Sequence, residues 1–219
     1  MGYTMIKYIE CRNLTLEFEK NNKILDNINI FMDKGKIYGF VGRNGCGKTM
    51  LFRTICGFVK PIMGEVIVDG KIIGKDTEFI RNAGATIGEA DFLKHMSGYE
   101  NLKILAEIKN IVSDEDVLNV LRTVNLFEEK DKKYKKYSVG MKQKLRIAQA
   151  VMENPDIIIL DEPFNGLDRE SVLKIREYII GLKEDGKTIL LASHMSEDLE
   201  FLCDHVFEME SGRVLNENI

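Results

Sequence analysis

The chain has 219 residues and a formal net charge of −4, from 31 Lys and Arg against 35 Asp and Glu. This length allows one large domain or two small ones, and the acidic balance argues against a general nucleic-acid binder. Its apolar runs, such as residues 157–160, are far too short to cross a bilayer, which takes about 20 residues. The four cysteines have no CxxC spacing, so neither a zinc site nor a disulfide framework is expected.

The first third of the chain is predicted to consist mainly of strands. Apolar segments broken by turn residues predict four strands and one helix. These are strands over residues 8–18, 24–32, 36–41 and 64–73, and a helix over residues 48–56. Gly57 and Pro61 follow the helix, which is a common helix ending. The early strands are expected to form a separate antiparallel layer.

A mostly helical stretch follows, from about residue 97 to residue 153. Apolar residues recur there at helical spacing in three segments, which are residues 97–110, 113–126 and 138–154. Strands then alternate with helices to the end of the chain. The strands cover residues 156–160, 187–193 and part of 205–215, and the helices cover residues 169–185 and 196–203. Such alternation favours a largely parallel sheet, so the helical stretch is predicted to be inserted in an α/β chain.

A phosphate-binding loop is predicted between the strand over 36–41 and the helix over 48–56. Residues 42–49 fit the pattern G-x-x-x-x-G-K-[ST] in the strand-to-helix context that makes the pattern meaningful. Its glycines let backbone N–H groups point at one anion, and the helix N-terminus adds positive charge. Lys48 is expected to reach the outer phosphates and Thr49 to ligate magnesium. The predicted loop residues are Gly42, Arg43, Asn44, Gly45, Cys46, Gly47, Lys48 and Thr49.

Two carboxylates and a histidine are predicted to face this loop. Asp161 and Glu162 follow the apolar strand over 156–160, at the end where ligands gather in an open parallel sheet. Asp161 is placed to hold magnesium, and Glu162 to polarise a water against the γ-phosphate. His194 ends the strand over 187–193, at the same edge of the sheet, where its imidazole can contact the γ-phosphate.

A second anion-binding helix start is predicted at Ser138 and Gly140. The first turn of the helix over 138–154 exposes N–H groups and a hydroxyl, followed by cations. Because these residues stand on the helical stretch, they are expected to project away from the chain's own nucleotide. Two copies packed head to tail about a two-fold axis then complete each other's sites.

With these motifs in this order, the chain resembles an ABC-type ATPase, the nucleotide-binding subunit of an ABC transporter, over nearly its whole length. The phosphate loop resembles the Walker A motif, and Tyr-Ser-Val-Gly-Met resembles the signature motif, usually LSGGQ. Residues 157–162 resemble Walker B with the catalytic glutamate, and residues 164–168 resemble the D-loop, which ends in Asp168. Residues 193–198 resemble the switch-histidine loop, and Phe18 lies at the position that stacks on adenine in the family.

The resemblance implies an α/β fold of the P-loop NTPase (RecA-like) type, with a mostly parallel core sheet, an antiparallel β layer and an inserted helical subdomain. The ATP-binding core is expected at about residues 1–87 and 154–219, and the helical subdomain at about 88–153. The implied activity is ATP hydrolysis with Mg²⁺, in a dimer that powers a permease on separate chains. The implied location is cytoplasmic, on the inner face of the membrane through the permease, without direct insertion.

Two motifs depart from the family pattern. The signature has Val139 and Met141 where the family has Gly and Gln, while Ser138 and Gly140 are retained. The family also has a glutamine that contacts magnesium and the attacking water, and this chain has Gly88 in its place with Glu89 beside it. Glu near this position resembles bacitracin- and lantibiotic-type exporters, so Glu89 is the predicted substitute metal ligand. The alternative is a carboxylate that faces solvent.

Other functions compatible with a phosphate loop are less well supported by the sequence. A non-transport ABC ATPase, such as a cofactor-assembly engine, is the first alternative, although the chain lacks the long coiled-coil insert of repair proteins. The signature argues against a P-loop kinase, and the chain has no Asn-Lys-x-Asp guanine motif of a GTPase. Glu162 and His194 argue against a module that senses ATP without hydrolysing it.

Overall fold

The computed structural model describes residues 7–19, 22–88, 91–194 and 196–218. Its strands are β1 (Ile9–Glu19), β2 (Asn22–Met32), β3 (Ile37–Val41), β4 (Met63–Val68), β5 (Lys71–Ile72), β6 (Ala83–Thr86), β7 (Ile157–Asp161), β8 (Thr188–Ser193), β9 (His205–Glu210) and β10 (Arg213–Asn218). Its α-helices are α1 (Lys48–Cys56), α2 (Gly98–Lys109), α3 (Asp114–Thr123), α4 (Val139–Val151), α5 (Arg169–Glu184) and α6 (Ser196–Glu200).

The strands form two sheets, as the sequence predicts. Six strands form a sheet in the order β10-β9-β3-β8-β7-β6, in which only β10 runs antiparallel to its neighbour. The other four form an antiparallel sheet in the order β2-β1-β4-β5. The α1 helix contacts both β2 and β7, so the two sheets share one apolar core around it. This confirms the predicted α/β fold with a parallel core and an antiparallel layer.

The parallel register brings the predicted site residues to one edge of the larger sheet. The strands β7 and β8 are almost continuously apolar and buried, as expected for strands covered on both faces. In the register, Val41 lies opposite Ser193, and Asp161 lies opposite Ala192. The loop after β3, the carboxylates after β7 and the histidine after β8 therefore emerge together, at the carboxyl edge of the sheet.

The three predicted helices of the inserted stretch are confirmed as α2, α3 and α4. Ser97 and Ser113 each form a capping box at the start of α2 and α3. The α4 helix packs directly on β6, where a Cβ on Gly84 would lie 1.7 Å from the Ala150 carbonyl oxygen. Only glycine at position 84 allows this close approach, which brings α4 against the sheet beside β7.

The sequence analysis missed β6 and overextended the last helix. The β6 segment is Ala-Gly-Ala-Thr, which has little strand propensity of its own. The α6 helix ends at Glu200 rather than at residue 203. None of the helices within the described ranges has both the length and the apolarity of a membrane span.

Asp204 connects three elements of the core. One carboxylate oxygen accepts a hydrogen bond from the Ile37 backbone N–H at 2.8 Å, and the other accepts from Lys183 Nζ on α5. Burial by itself raises the pKa of Asp204, but the hydrogen bonds from Ile37 and Lys183 outweigh it and hold that pKa below its usual value. A carboxyl group with a lowered pKa contributes stability above its unfolded pKa, about 3.9, and that stability is lost as pH falls through the folded pKa.

We therefore expect Asp204→Asn to lower the melting temperature by about 3–12 °C at pH 7, since a lost hydrogen bond to a charged group costs about 1.5–3 kcal/mol. The difference from the unsubstituted chain should shrink as pH falls from 5 to 3, because the unfolded chain then takes up a proton at Asp204 that the folded carboxylate resists, so the stabilisation by the charge declines. Thermal unfolding at several pH values measures this. Asp131→Asn, at an exposed carboxylate, is the control and should have no such effect. A difference that stays constant over this range would contradict the assignment.

Candidate nucleotide site

The loop between β3 and α1 is shaped by close backbone contacts. A Cβ on Gly42 would lie 2.3 Å from the Met209 carbonyl oxygen, so the chain passes β9 too closely for any side chain. Gly45 and Gly47 have φ angles of 81° and 113°, in the left-handed region that favours glycine. The buried Cys46 donates its N–H to the Arg43 carbonyl and accepts from the Gly212 N–H. The loop is thus hydrogen-bonded to the turn after β9, and no side chain within the described residues caps the α1 N-terminus.

This loop forms one wall of a cleft of about 510 Å³. The lining residues are Ile24, Asn44, Gly45, Gly47, Lys48, Thr49, Met50, Gly88, Gln143, Arg146, Asp161, Glu162 and Asn165. Lys48 is 6% exposed, and its Nζ donates to the Gly42 carbonyl at 2.6 Å. The same Nζ lies 3.8 Å from Glu162 Oε1. A buried ammonium beside free N–H groups of a helix start is suited to binding phosphate.

Thr49 and Asp161 meet on the floor of the cleft. The Thr49 hydroxyl donates to Asp161 Oδ2 at 2.6 Å. The other oxygen, Asp161 Oδ1, is buried and has no hydrogen-bond partner among the described residues. A buried, unpaired carboxylate oxygen beside a hydroxyl is a donor set that fits Mg²⁺, which prefers oxygen ligands and commonly takes the rest from phosphates and water.

Glu162 has an unusual backbone conformation. Its φ is 52°, in the left-handed region, where a residue other than glycine costs about 1–3 kcal/mol. Its N–H donates to the Ala192 carbonyl at 2.9 Å, and its carbonyl accepts from Gln143 Nε2 at 3.2 Å. This conformation turns the carboxylate toward β8, where Oε2 lies 2.9 Å from His194 Nδ1. Glu162, His194 and Lys48 therefore form one connected group.

The start of α4 lies outside this cleft. Ser138 caps the helix by accepting from the Met141 N–H at 3.2 Å, and its side chain is exposed. Val139 is 71% exposed. A Cβ on Gly140 would lie 2.8 Å from the Gly166 carbonyl oxygen, so the helix start packs on the loop that follows Glu162. The signature residues are thus brought beside residues 164–168 rather than into the chain's own cleft.

Asp168 ends that loop and caps α5. Its side chain accepts hydrogen bonds from the Ser171 N–H at 2.9 Å and the Ser171 hydroxyl at 2.7 Å. These hydrogen bonds lower the pKa of Asp168, so it is an anion at neutral pH. The capping bonds fix where the loop ends and α5 begins.

Besides Ser138, Gly140 and Asp168, several other predicted site residues are not among those that line the cleft. Gly42, Cys46 and His194 are three of them, and His194 lines a different pocket with Ser196 and Glu208. Phe18 is 62% exposed on β1, and neither it nor Arg43 is among the cleft-lining residues. Glu89 lies outside the described residues. Its neighbour Gly88 does line the cleft and has a φ of 67°. A Cβ on Gly88 would lie 3.0 Å from a guanidinium nitrogen of Arg53.

Gln143, Arg146 and Asn165 line the cleft and were missed by the sequence analysis. For Gln143 a signal exists in the sequence. It shares the buried face of α4 with Ile147 and Val151, at positions i, i+4 and i+8. A polar residue on the apolar stripe of a helix needs a hydrogen-bond partner, so this pattern indicates a specific buried contact.

Comparison with known proteins agrees with this geometry. The family profile described as ABC transporter matches residues 25–165. The chain is 42% identical over 206 residues to the uncharacterized ABC transporter ATP-binding protein YybJ of Bacillus subtilis (strain 168), covering 94% of each chain. It is 37% identical to the bacitracin transport ATP-binding protein BcrA of Enterococcus faecalis, covering 95% of this chain and 68% of BcrA.

A solved structure shares the fold. The dimeric form of a bacterial ABC transporter cassette superimposes with a TM-score of 0.88 at 25% identity, covering 96% of this chain and 97% of the cassette. The matched profile spans the phosphate loop, the signature segment and both carboxylates. The chain therefore belongs to the ABC transporter family, as one of its ATP-binding, ATP-hydrolysing subunits.

Proposed function

We propose that two copies of this chain close head to tail around two ATP molecules and thereby power a membrane permease carried on separate chains. One observation carries the proposal. The groups suited to phosphate and hydrolysis share one cleft, whereas the exposed helix start at Ser138 lies outside it. Because that helix start has anion-binding chemistry, its proposed ligand is the nucleotide of a second copy.

Within one chain, Lys48 binds the outer phosphates of ATP. On binding, its Nζ exchanges the Gly42 carbonyl, now at 2.6 Å, for phosphate oxygens, which are stronger acceptors for an ammonium. The loop N–H groups from Asn44 to Thr49 surround the phosphates, and Phe18 stacks on the adenine. Thr49 and Asp161 would hold Mg²⁺, with Glu89 as the proposed third group. When bound, the ion neutralises phosphate charge and orients the γ-phosphate.

Glu162 is the proposed general base. Its carboxylate accepts a proton from the water that attacks the γ-phosphate, and the products are ADP and phosphate. His194 Nδ1 lies 2.9 Å from Glu162 Oε2, which supports a proposed role for His194 in orienting that carboxylate and donating to the γ-phosphate. The left-handed backbone at Glu162 aims the carboxylate into this arrangement.

In the dimer, Ser138 and Gly140 of one copy contact the γ-phosphate held by the other. The helix dipole of α4 and its first N–H groups supply this contact even with Val139 and Met141 in the signature. Asp168 extends the same face, on the loop that α4 touches at Gly166. ATP then joins two copies, and hydrolysis separates them, which is a ligand-gated two-state cycle.

The permease is proposed to dock in an apolar groove between the core and the helical subdomain, taken as about residues 88–153. The groove has a volume of about 380 Å³ and includes Phe58, Phe79, Leu105 and Ile108. Phe58 and Ile108 are 61% and 75% exposed, which is unusual for large apolar side chains and marks an interaction surface. The proposed location is therefore the cytoplasm, peripheral on the inner face of the membrane. Export is the proposed direction, from the resemblance to bacitracin-type exporters.

A photo-crosslinking residue at Ile108 tests the permease partner in cells. We expect an adduct with an integral membrane protein that resists carbonate extraction and is lost when Phe58→Glu is added. The same residue at Glu184, exposed at the end of α5, is the control and should give no such adduct. Adducts only with proteins released by carbonate would contradict a permease and favour the non-transport ABC ATPase.

A further inference from the structure

Gln143 is a buried polar residue that contacts the backbone of Glu162. It is 6% exposed on α4, and its Nε2 donates to the Glu162 carbonyl at 3.2 Å. The Ala192 carbonyl accepts a hydrogen bond from the Glu162 N–H at 2.9 Å. The two peptide groups that flank the Glu162 side chain are therefore each tied to a neighbouring element, one to α4 and one to β8.

These two hydrogen bonds determine where the carboxylate points. Rotation of either peptide group would release the left-handed φ of 52° at Glu162. The side chain would then leave its position 2.9 Å from His194 Nδ1 and 3.8 Å from Lys48 Nζ. The Ala192 contact ties Glu162 to β8, directly beyond the end of β7, whereas the Gln143 contact comes from a helix that packs on the sheet.

The same helix carries the residues that face the partner. Gln143 lies five residues after Ser138, about 7.5 Å along a continuous helix. The helix start also touches Gly166, in the loop that leads away from Glu162. A shift of the exposed end of α4 would therefore reach the Glu162 backbone by two routes. One is the Gln143 hydrogen bond, which contacts Glu162 directly, and the other is the contact with Gly166.

We propose that Gln143 is a positioning residue that holds the Glu162 backbone in its left-handed conformation and so couples the partner-facing end of α4 to the carboxylate in the same chain. This inference rests on the proposed role of Glu162 as the base. The inference goes beyond that role because it links the two sites of the dimer. Hydrolysis in the cleft of one copy then depends on how α4 of that copy contacts the nucleotide bound by the partner copy.

The test compares Gln143→Met, which keeps the length but loses the donor, with the unsubstituted chain. We expect kcat for ATP hydrolysis to fall about 10-fold while KM for ATP changes less than two-fold, because the phosphate loop is untouched. Gln143→Glu keeps the shape and cannot donate as a carboxylate, so it should lower kcat at least as much. Asn101→Leu is the matched control, since Asn101 is also a buried amide that donates to backbone carbonyls, at Leu93 and Ser97.

A double-mutant cycle separates positioning from loss of stability. In a Glu162→Gln background, adding Gln143→Met should lower the residual rate less than two-fold, because no carboxylate remains to be positioned. The inference would be overturned if the rate losses of Gln143→Met and Glu162→Gln multiply in the double variant. It would also be overturned if Gln143→Met has the same kcat as Asn101→Leu. If Glu162→Gln alone hydrolyses ATP at the normal rate, the proposed base fails instead, which distinguishes the two outcomes.

Discussion

Glu162→Gln is expected to lower kcat for ATP hydrolysis at least about 100-fold while ATP still binds. The amide keeps the size of the carboxylate and its contact with His194, but it cannot accept a proton from the attacking water. General bases contribute about 10²- to 10⁴-fold to enzymatic rates. Steady-state phosphate release measures the rate, and equilibrium binding of labelled ATP measures the affinity.

The control for this substitution is Glu170→Gln, at an exposed carboxylate of α5 that pairs only with Lys174 among the described ion pairs. It should leave both quantities unchanged. A Glu162→Gln chain that retains more than a tenth of the normal rate would show that the base is another group. His194 would then be the first candidate, since it lies within hydrogen-bond distance of the same position.

Lys48→Ala is expected to weaken ATP binding about 10- to 100-fold and to remove hydrolysis at ordinary ATP concentrations. Hydrogen bonds to charged groups are worth about 1.5–3 kcal/mol, and Lys48 is the one lysine among the cleft-lining residues described. Its loss also removes the ammonium that lies 3.8 Å from Glu162 Oε1. Binding of labelled ATP, measured with the melting temperature of each variant, separates lost affinity from lost stability.

Lys60→Ala, at an exposed lysine beyond α1, serves as the control and should bind ATP normally. Lys48→Arg should not restore binding fully, because a planar guanidinium does not reproduce the compact ammonium of the buried Lys48, which donates to the Gly42 carbonyl. Normal ATP affinity in Lys48→Ala would contradict the assignment of residues 42–49 as the phosphate site.

The parts of the site that lie in continuous motifs could be predicted from the sequence. The loop from Gly42 to Thr49 and the pair Asp161–Glu162 combine local turn chemistry with a strand end, so their neighbours in the chain determine their shape. His194 was predictable because parallel neighbours end at the same edge, and β7 and β8 do pair in parallel. Each of these inferences needs only the strand pattern.

The parts that depend on packing between distant segments could not be predicted. The β6 strand is held by α4 against Gly84, and its four residues carry no strand signal. The hydrogen bond from Gln143 to Glu162 joins residues 19 positions apart. The left-handed φ at Glu162 occurs where its two peptide groups are hydrogen-bonded to α4 and to β8. No local pattern distinguishes Gln143 from other polar residues on a helix except its place on the buried face.

The proposed dimer accounts for the two phosphate-facing helix starts that the sequence predicts in one small chain. The α1 start opens into the cleft through Gly47 and Lys48, whereas the α4 start at Ser138 is exposed beside the loop that ends in Asp168. A chain that used both for a single nucleotide would need them in one cavity. Their separation is what a two-fold dimer requires, in which each nucleotide is contacted by both copies.

The solution mass of Glu162→Gln, measured with Mg-ATP and with Mg-ADP, tests the proposed dimer most directly. With hydrolysis stalled, we expect twice the 25.0 kDa of the single chain with ATP, and the single-chain mass with ADP. Adding Ser138→Arg should return the ATP-bound protein to the single-chain mass while ATP still binds. A single-chain mass with both nucleotides, or an ATP dimer that Ser138→Arg leaves intact, would contradict the account.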